Sequence, residues 1–139
     1  MLFRNKYFYL SNMYPATCTD SLGYTYKCSE AYFQACKCKD VKDRINFTNL
    51  DGYGAKRLGR TVELVDNWDE LKDKFMLLAL FAKFTQNPEL GKQLVLLVKS
   101  GTPIQKDNYW NDTYWGVCKG KGKNRLGELL TKVGEALNE

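Results

Sequence analysis

Histidine is absent from all 139 residues of the chain. That absence excludes every Ser-His-Asp triad, every Cys–His dyad and every His-ligated zinc site. Any catalysis must run on carboxylates, lysines, tyrosines or thiolates. Proline is scarce, at three residues. No apolar run approaches the roughly 20 residues that cross a bilayer. The opening MLFRNKYFYL, with Arg4 and Lys6, is too aromatic and too charged for a secretory leader. These absences predict a soluble cytoplasmic protein with no membrane partner. The five cysteines (Cys18, Cys28, Cys36, Cys38 and Cys118) are odd in number and lack CxxC spacing. Cys36 and Cys38 stand two apart on a predicted helix and point away from each other. The pattern argues against a metal clip or a disulfide framework and for reduced, mostly buried thiols.

What remains is the composition of a folded domain, 44% hydrophobic and 14% aromatic. At this length the simplest organisation is one domain over 1–139, without repeat, linker or low-complexity segment. Net charge is +5, and much of the excess falls in KGKGKNR at Lys119, Lys121, Lys123 and Arg125. A solvated loop and an anion or nucleic-acid contact both fit that cluster.

Aromatic alternation in LFRNKYFYLSNMYP, with a turn signal at Ser11-Asn12, predicts short strands, and LGYTYK predicts another after a turn at Asp20–Gly23. Ser29 is placed to cap a helix that frays near Lys39-Asp40. Residues 41–49 and GYGAKRLGR fit short helices. Asp66 or Asn67 caps a helix through WDELKDKFMLLALFAKF, whose stretch from Phe75 to Ala82 is apolar all round and predicts a central buried helix. Asn87, Pro88 and Gly101 punctuate the next helix, and Asn124 opens the last. The fold class is α+β, mainly helical, with a few short N-terminal strands.

Two places can carry chemistry. In SEAYFQACK, a helical period puts Gln34 about 40° and Lys37 about 20° from Glu30, at roughly 100° per residue. This carboxylate–amide–amine stripe is either a solvated face or a pocket wall. A desolvated lysine can attack an electrophilic carbon while a carboxylic acid protonates a leaving group. The second place is NDTYWGVCKGKGKNRLG. There Asp112 precedes Trp115-Gly116, and aromatic faces that stack on heterocycles lie beside a carboxylate able to stabilise a positive sugar centre. The glycine-lysine run ending at Asn124 offers backbone N–H groups and a helix N-terminus to a phosphate, although it is no Walker loop.

Taken in order, YLSNMYP (9–15), YKCSEAYFQACK (26–37), AKRLGR (55–60), Trp68, KFTQN (83–87), DTYWG (112–116) and GKGKNRLGELL (120–130) resemble the NADAR family over nearly the whole chain. The resemblance implies a helix-rich α+β fold and an N-glycosidase. It implies one of two substrate classes: phosphorylated riboflavin-pathway intermediates, or guanine in DNA carrying ADP-ribose, as in antitoxins paired with ADP-ribosyltransferase toxins. The expected partner is therefore an ADP-ribose-containing substrate, with ADP-ribosylated DNA preferred for the basic loop; a non-catalytic ADP-ribose or nucleotide reader is the rival of another class.

Carried over by position, the resemblance implies Glu30 as general acid/base and Asp112 as the group that orients a sugar hydroxyl or stabilises developing positive charge. It implies Lys37 as either an imine-forming nucleophile or a binding cation, with Lys83 the alternative amine. Ser11, Asn12, Gln34, Trp68, Asp107, Trp115, Gly116, Lys121 and Asn124 complete the implied binding set. Trp68 and Trp115 fit core packing equally well. Three positions depart from the pattern: Ala31 stands for a histidine, Asp107 for a glutamate and Gly134 for an arginine. The resemblance implies neither metal nor cofactor. Activity is accordingly expected to survive EDTA, and its loss on chelation would contradict this reading.

Overall fold

A computed structural model describes residues 1–139. A 3-10 helix spans Asn5–Leu10, followed by β1 (Cys18–Thr19), β2 (Thr25–Tyr26) and α1 (Ser29–Ala35). A second 3-10 helix (Val41–Phe47) precedes α2 (Gly52–Gly59), α3 (Trp68–Gln86), α4 (Pro88–Lys99) and α5 (Arg125–Leu137). The fold is α+β and mainly helical, as expected, with one small antiparallel sheet pairing Cys18 with Tyr26 and Thr19 with Thr25. None of its helices is long and apolar enough to cross a membrane. Contacts gather into two units, Asn12–Asn87 and Met1–Ser11 with Pro88–Glu139.

In the Asn12–Asn87 unit, the β1–β2 turn closes around one carboxylate. Asp20 Oδ1 accepts from the backbone N–H groups of Leu22 and Tyr24, both at 3.0 Å. Gly23 follows with φ +95°, the left-handed conformation that suits glycine. Asp20 Oδ2 accepts from the Tyr26 hydroxyl at 2.8 Å and from Arg44 at 3.0 Å. One buried acid thus ties the hairpin to the second 3-10 helix. Burial and the Asp20 hydrogen bond together push the Tyr26 hydroxyl pKa up.

Helix α1 is buried at every residue from Ser29 to Ala35, and α2, α3 and the second 3-10 helix pack on it. Its N-cap is Cys28, not Ser29. The Ser29 hydroxyl instead donates to Asn12 Oδ1 at 2.7 Å, where burial makes a partner worth more than a cap. Asn67 opens α3 in a left-handed conformation, φ 61°, without a side-chain cap bond. The expectation that α3 is buried all round over Phe75–Ala82 is corrected. Met76, Ala79, Leu80 and Ala82 are buried, but Leu78 and Phe81 are 44% and 46% exposed. With Lys74 and Thr85 they form one helical stripe facing outward.

In the other unit, Asn5–Leu10 coils into a 3-10 helix where alternation predicts a strand. The buried positions are the adjacent Tyr9 and Leu10, a pattern no strand face supports. Helices α4 and α5 pack through Leu90, Leu94, Leu126, Leu130 and Val133. A Cβ on Gly134 would lie 2.5 Å from Val98 Cγ2 and 3.2 Å from Leu94 Cγ. The departure at Gly134 therefore reflects helix contact too close for any side chain, let alone arginine.

Asp20→Ala leaves the Arg44 charge and the Tyr26 hydroxyl buried without their acceptor. It is expected to destabilise the fold by about 3–5 kcal/mol. Chemical denaturation measures this, and a loss below about 1 kcal/mol would show that the network is not structural.

Candidate active site

The Asn12–Asn87 unit concentrates polar groups where none would be expected without a purpose. Glu30 is 8% exposed and Gln34 4%. The Glu30 N–H donates to the Asn12 carbonyl at 3.1 Å. The Asn12 side chain accepts from Ser29 and donates to Met76 Sδ at 3.3 Å. Asn12 thus fixes the first turn of α1 and, with it, the Glu30 backbone. Gln34 Nε2 donates to Glu30 Oε2 at 3.4 Å, while Gln34 Oε1 is buried with no hydrogen-bond partner.

Two glycines of α2 make this arrangement possible. A Cβ at Gly52 would meet Met13 Sδ at 2.1 Å and Glu30 Cβ at 3.4 Å. A Cβ at Gly59 would meet Gln34 Oε1 at 2.0 Å. Their i,i+7 spacing sets both on one helix face, one opposite Glu30 and one opposite Gln34. The sequence alone places these glycines in a short helix without naming what they pack against. Their spacing was the available signal for which residues they pack against.

The stripe is not one continuous helix face. Helix α1 stops at Ala35, and Lys37 sits in the following turn, its N–H on the Gln34 carbonyl at 3.1 Å. Burial pulls the Lys37 pKa down, Glu30 pushes it up, and Arg60 and Lys56 lower it further. Lys37 Nζ lies 5.8 Å from the Trp68 ring centre. Trp68 packs at 5.3 Å on Phe33 and stacks at 5.9 Å on Phe75. Lys37, Lys56 and Arg60 therefore form a cationic group at the end of α1.

Lys83 has a different environment. It is 0% exposed, its Nζ lying 5.6 Å from the Tyr14 ring centre and 4.9 Å from that of Phe84. Burial pulls its pKa down to about 7, against opposing contributions from Cys18 and Cys28. The same burial pushes the Cys18 thiol up to about 12 and raises Cys28. Near neutral pH this wall holds an amine and two protonated thiols.

The Met1–Ser11 and Pro88–Glu139 unit holds the other implied residues. Ser11 closes the first 3-10 helix, its N–H on the Phe8 carbonyl at 2.9 Å. Asp107 is engaged by the Met1 α-ammonium at 2.6 Å and by Gln105 at 2.8 Å. Those hydrogen bonds hold its carboxyl below the usual range. Asp112 Oδ1 accepts from the N–H groups of Tyr114 and Trp115 at 3.1 and 2.9 Å, leaving Oδ2 for another donor. Trp115 is half-buried, edge-on to Tyr114 with centroids 4.8 Å apart.

Gly116 and Asn124 do structural work. A Cβ on Gly116 would lie 2.4 Å from the Lys106 carbonyl. Asn124 accepts from Lys106 N at 3.0 Å and donates to the Ile104 carbonyl at 2.9 Å. The expected phosphate cradle at the start of α5 is corrected. Arg125 and Leu126 N–H groups donate to the Tyr114 and Trp115 carbonyls, each at 3.0 Å, so the chain itself fills the helix N-terminus. Lys119, Lys121 and Lys123 stay exposed. Asn108, which the sequence reading passed over, is 5% exposed and braces the loop through Trp110, Asp112 and Val117.

The Asn12–Asn87 unit of this mainly helical α+β chain thus holds a buried carboxylate, a desolvated amine and a cationic cluster. Comparison makes the class specific: the NADAR domain matches residues 2–138, and the chain belongs to the NADAR family. The N-glycosidase YbiA of Shigella flexneri serotype 5b is 41% identical over 119 residues, covering 83% of this chain and 72% of that protein. The Escherichia coli K12 protein of the same name is 40% identical over the same share of each. A riboflavin biosynthesis protein of Vibrio vulnificus is 33% identical over 94% of this chain, which spans only 36% of that protein. The NMR structure of Escherichia coli YbiA superposes with a TM-score of 0.85 at 35% identity, covering 99% of this chain and 82% of that one. N-glycosidase is thus the activity in the name of the YbiA relatives.

Gly59→Ala is expected to destabilise the fold by about 1–3 kcal/mol through its clash with the Gln34 amide. Gln34→Ala in the same chain is expected to restore most of that loss. A denaturation double-mutant cycle measures the coupling, and additive effects would contradict the close approach.

Proposed function

We propose that this chain is an N-glycosidase that removes ADP-ribose from guanine in DNA, with its chemistry in the Asn12–Asn87 unit. The observation that supports the catalytic reading is the presence there of two buried reactive groups: the Glu30 carboxyl, bonded by Gln34 with its backbone N–H held by Asn12, and the Lys83 amine, its pKa lowered to about 7 by burial. Their different environments support different roles in this reading. Lys83 is the nucleophile, because burial leaves a useful fraction of its amine unprotonated. Lys37, grouped with Lys56 and Arg60, is a binding cation for the phosphates.

In this mechanism the Lys83 amine bonds to the anomeric carbon through an oxocarbenium-like transition state. The carbon–nitrogen bond to the base breaks, its electron pair going to the departing nitrogen, which takes a proton from Glu30. Ring opening with loss of the amine proton gives an imine. Water adds to the imine carbon, and the amine leaves, returning free sugar and lysine. Glu30 moves the protons at each stage.

The basic run at Lys119, Lys121 and Lys123 favours a polynucleotide substrate. A second reading, cleavage of phosphorylated riboflavin-pathway intermediates, is favoured by the Vibrio vulnificus relative. Both substrates present a ribosyl carbon–nitrogen bond and phosphate, so Glu30, Lys83 and the Lys37 cluster would serve either.

Purified protein given guanine-ADP-ribosylated DNA and a phosphorylated riboflavin-pathway pyrimidine is expected to release ADP-ribose from the first, as read by mass spectrometry. Glu30→Gln is expected to lower turnover by 10²-fold or more while keeping ligand. Cleavage of the pyrimidine alone would establish the second reading, and binding without turnover would make the chain a reader. Turnover is expected to rise with pH through about 7 and then level; a rise continuing towards the ordinary lysine range near 10.4 would remove Lys83 from the role. The same shift bears on stability. Between about 7 and that range the unfolded lysine holds a proton that the folded one has lost, so this group makes stability rise with pH. Lys83→Met is expected to flatten that rise, measured by denaturation across the window.

A further inference from the structure

Two buried side-chain atoms have no hydrogen-bond partner, Arg44 Nε and Gln34 Oε1. Arg44 belongs to the structural network around Asp20, to which its NH1 donates at 3.0 Å. Gln34 stands beside the buried carboxylate instead, and is itself 4% exposed. A buried acceptor without a donor costs stability, and folded proteins keep few of them. An apolar side chain of similar volume would fill the same space without the orphan.

The two ends of this amide meet different surroundings. Nε2 donates to Glu30 Oε2 at 3.4 Å, one helical turn back. That contact is long, as hydrogen bonds of acid/base groups often are before substrate binds. Oε1 lies against the bare backbone of Gly59, where a Cβ would stand 2.0 Å from Oε1 and 3.0 Å from the amide carbon. Gly59 is buried, so α2 closes that end of the amide while the other end touches the carboxylate.

We infer that Gln34, seated on Gly59, is a positioning residue for Glu30: its Nε2–H keeps Oε2 an acceptor, so that the proton Glu30 gives to the leaving nitrogen is carried on Oε1. An oxygen that accepts an N–H bond is the poorer site for a proton, because protonation there sets donor against donor. A carboxylate in place of the amide would repel Glu30, and an apolar side chain would bring Oε2 no donor. This inference rests on Glu30 as the acid of the proposed reaction, and adds which of its oxygens acts and what selects it.

Other charges also bear on Glu30. Lys37 and Cys28 interact with it directly. From α2, Lys56 and Arg60 act on Lys37; from α3, Lys83 acts on Cys28; Arg44 of the second 3-10 helix and Asp20 of the hairpin act on Cys36. All of these groups stay in place when Gln34 is replaced, so a difference from wild type reports the amide.

The test is the carbon-13 NMR titration of the Glu30 carboxyl in the full chain, assigned by its loss in Glu30→Gln. Gln34→Met keeps a similar volume and removes the N–H. It is expected to raise the Glu30 midpoint by about one pH unit, since the donor favours the ionised form. In wild-type protein the Gln34 side-chain N–H resonances are expected to shift with that same midpoint, a readout that needs no variant at position 34. In turnover, Gln34→Met is expected to lower kcat about tenfold with KM unchanged. An unmoved midpoint in Gln34→Met, amide resonances flat through the Glu30 titration, or wild-type kcat in the variant would each overturn the role. The titrations use no substrate. Shifts as expected without turnover by wild-type protein sink the glycosidase reading alone, whereas turnover with midpoint and resonances unmoved sinks the positioning role alone.

Discussion

Complete burial of a short helix that carries a hydroxyl, a carboxylate and an amide is the constraint on which the Asn12–Asn87 unit depends. All of α1 is inside, so Ser29, Glu30 and Gln34 have to find partners within the protein. Each buried polar group left unsatisfied costs about 1–3 kcal/mol. Asn12 meets Ser29 and the Glu30 N–H, and Gln34 Nε2 meets the Glu30 carboxylate, while Gln34 Oε1 is left without a partner. Helix α2 can approach because Gly52 and Gly59 present bare backbone where side chains would collide. Packing and positioning are thus one requirement: the contacts that fill the core also fix the carboxylate.

The same burial sets the chemistry. An exposed lysine holds its proton well above neutral pH, but Lys83, shielded by Tyr14, Phe84 and two thiols, gives it up near pH 7. Lys37 is only half-buried, and its pKa is lowered by burial and by Arg60 and Lys56 against the opposing pull of Glu30. Two lysines of one chain thus differ in burial and in charged neighbours, and the proposed division into an amine and a phosphate partner follows from that difference. The lack of histidine fits such a division, since burial supplies the near-neutral titration that imidazole would otherwise give.

Much of this was legible in the sequence where local rules decide structure. Pro88 at the first helical position, Asn67 before α3 and Asn124 before α5 mark helix starts that the fold keeps. The Asp20–Gly23 turn was legible for the same reason: a carboxylate and a glycine define it locally. Legibility failed where tertiary contacts decide. The aromatic alternation of NKYFYL resembles a strand, yet burial of Tyr9 beside Leu10 fits a coil of 3-10 helix. The run from Phe75 to Ala82 reads as apolar on every side, but composition does not tell which stripe meets a neighbour. At the site, Glu30 and Gln34 were found from helical period, whereas Lys83 ranked second because its depth follows from the packing of α1, β1 and α3. Asn108 braces its own loop, bonding Trp110 and Asp112 two and four residues on as well as Val117, a turn role that its residue type allows but does not announce.

The central claim is that Lys83 forms the covalent bond to the sugar. Borohydride reduction during turnover, followed by peptide mass spectrometry, tests it directly. A sugar adduct on the peptide containing Lys83, absent from Lys83→Met, is the expected result. An adduct on Lys37, or turnover with no adduct at all, would contradict the account.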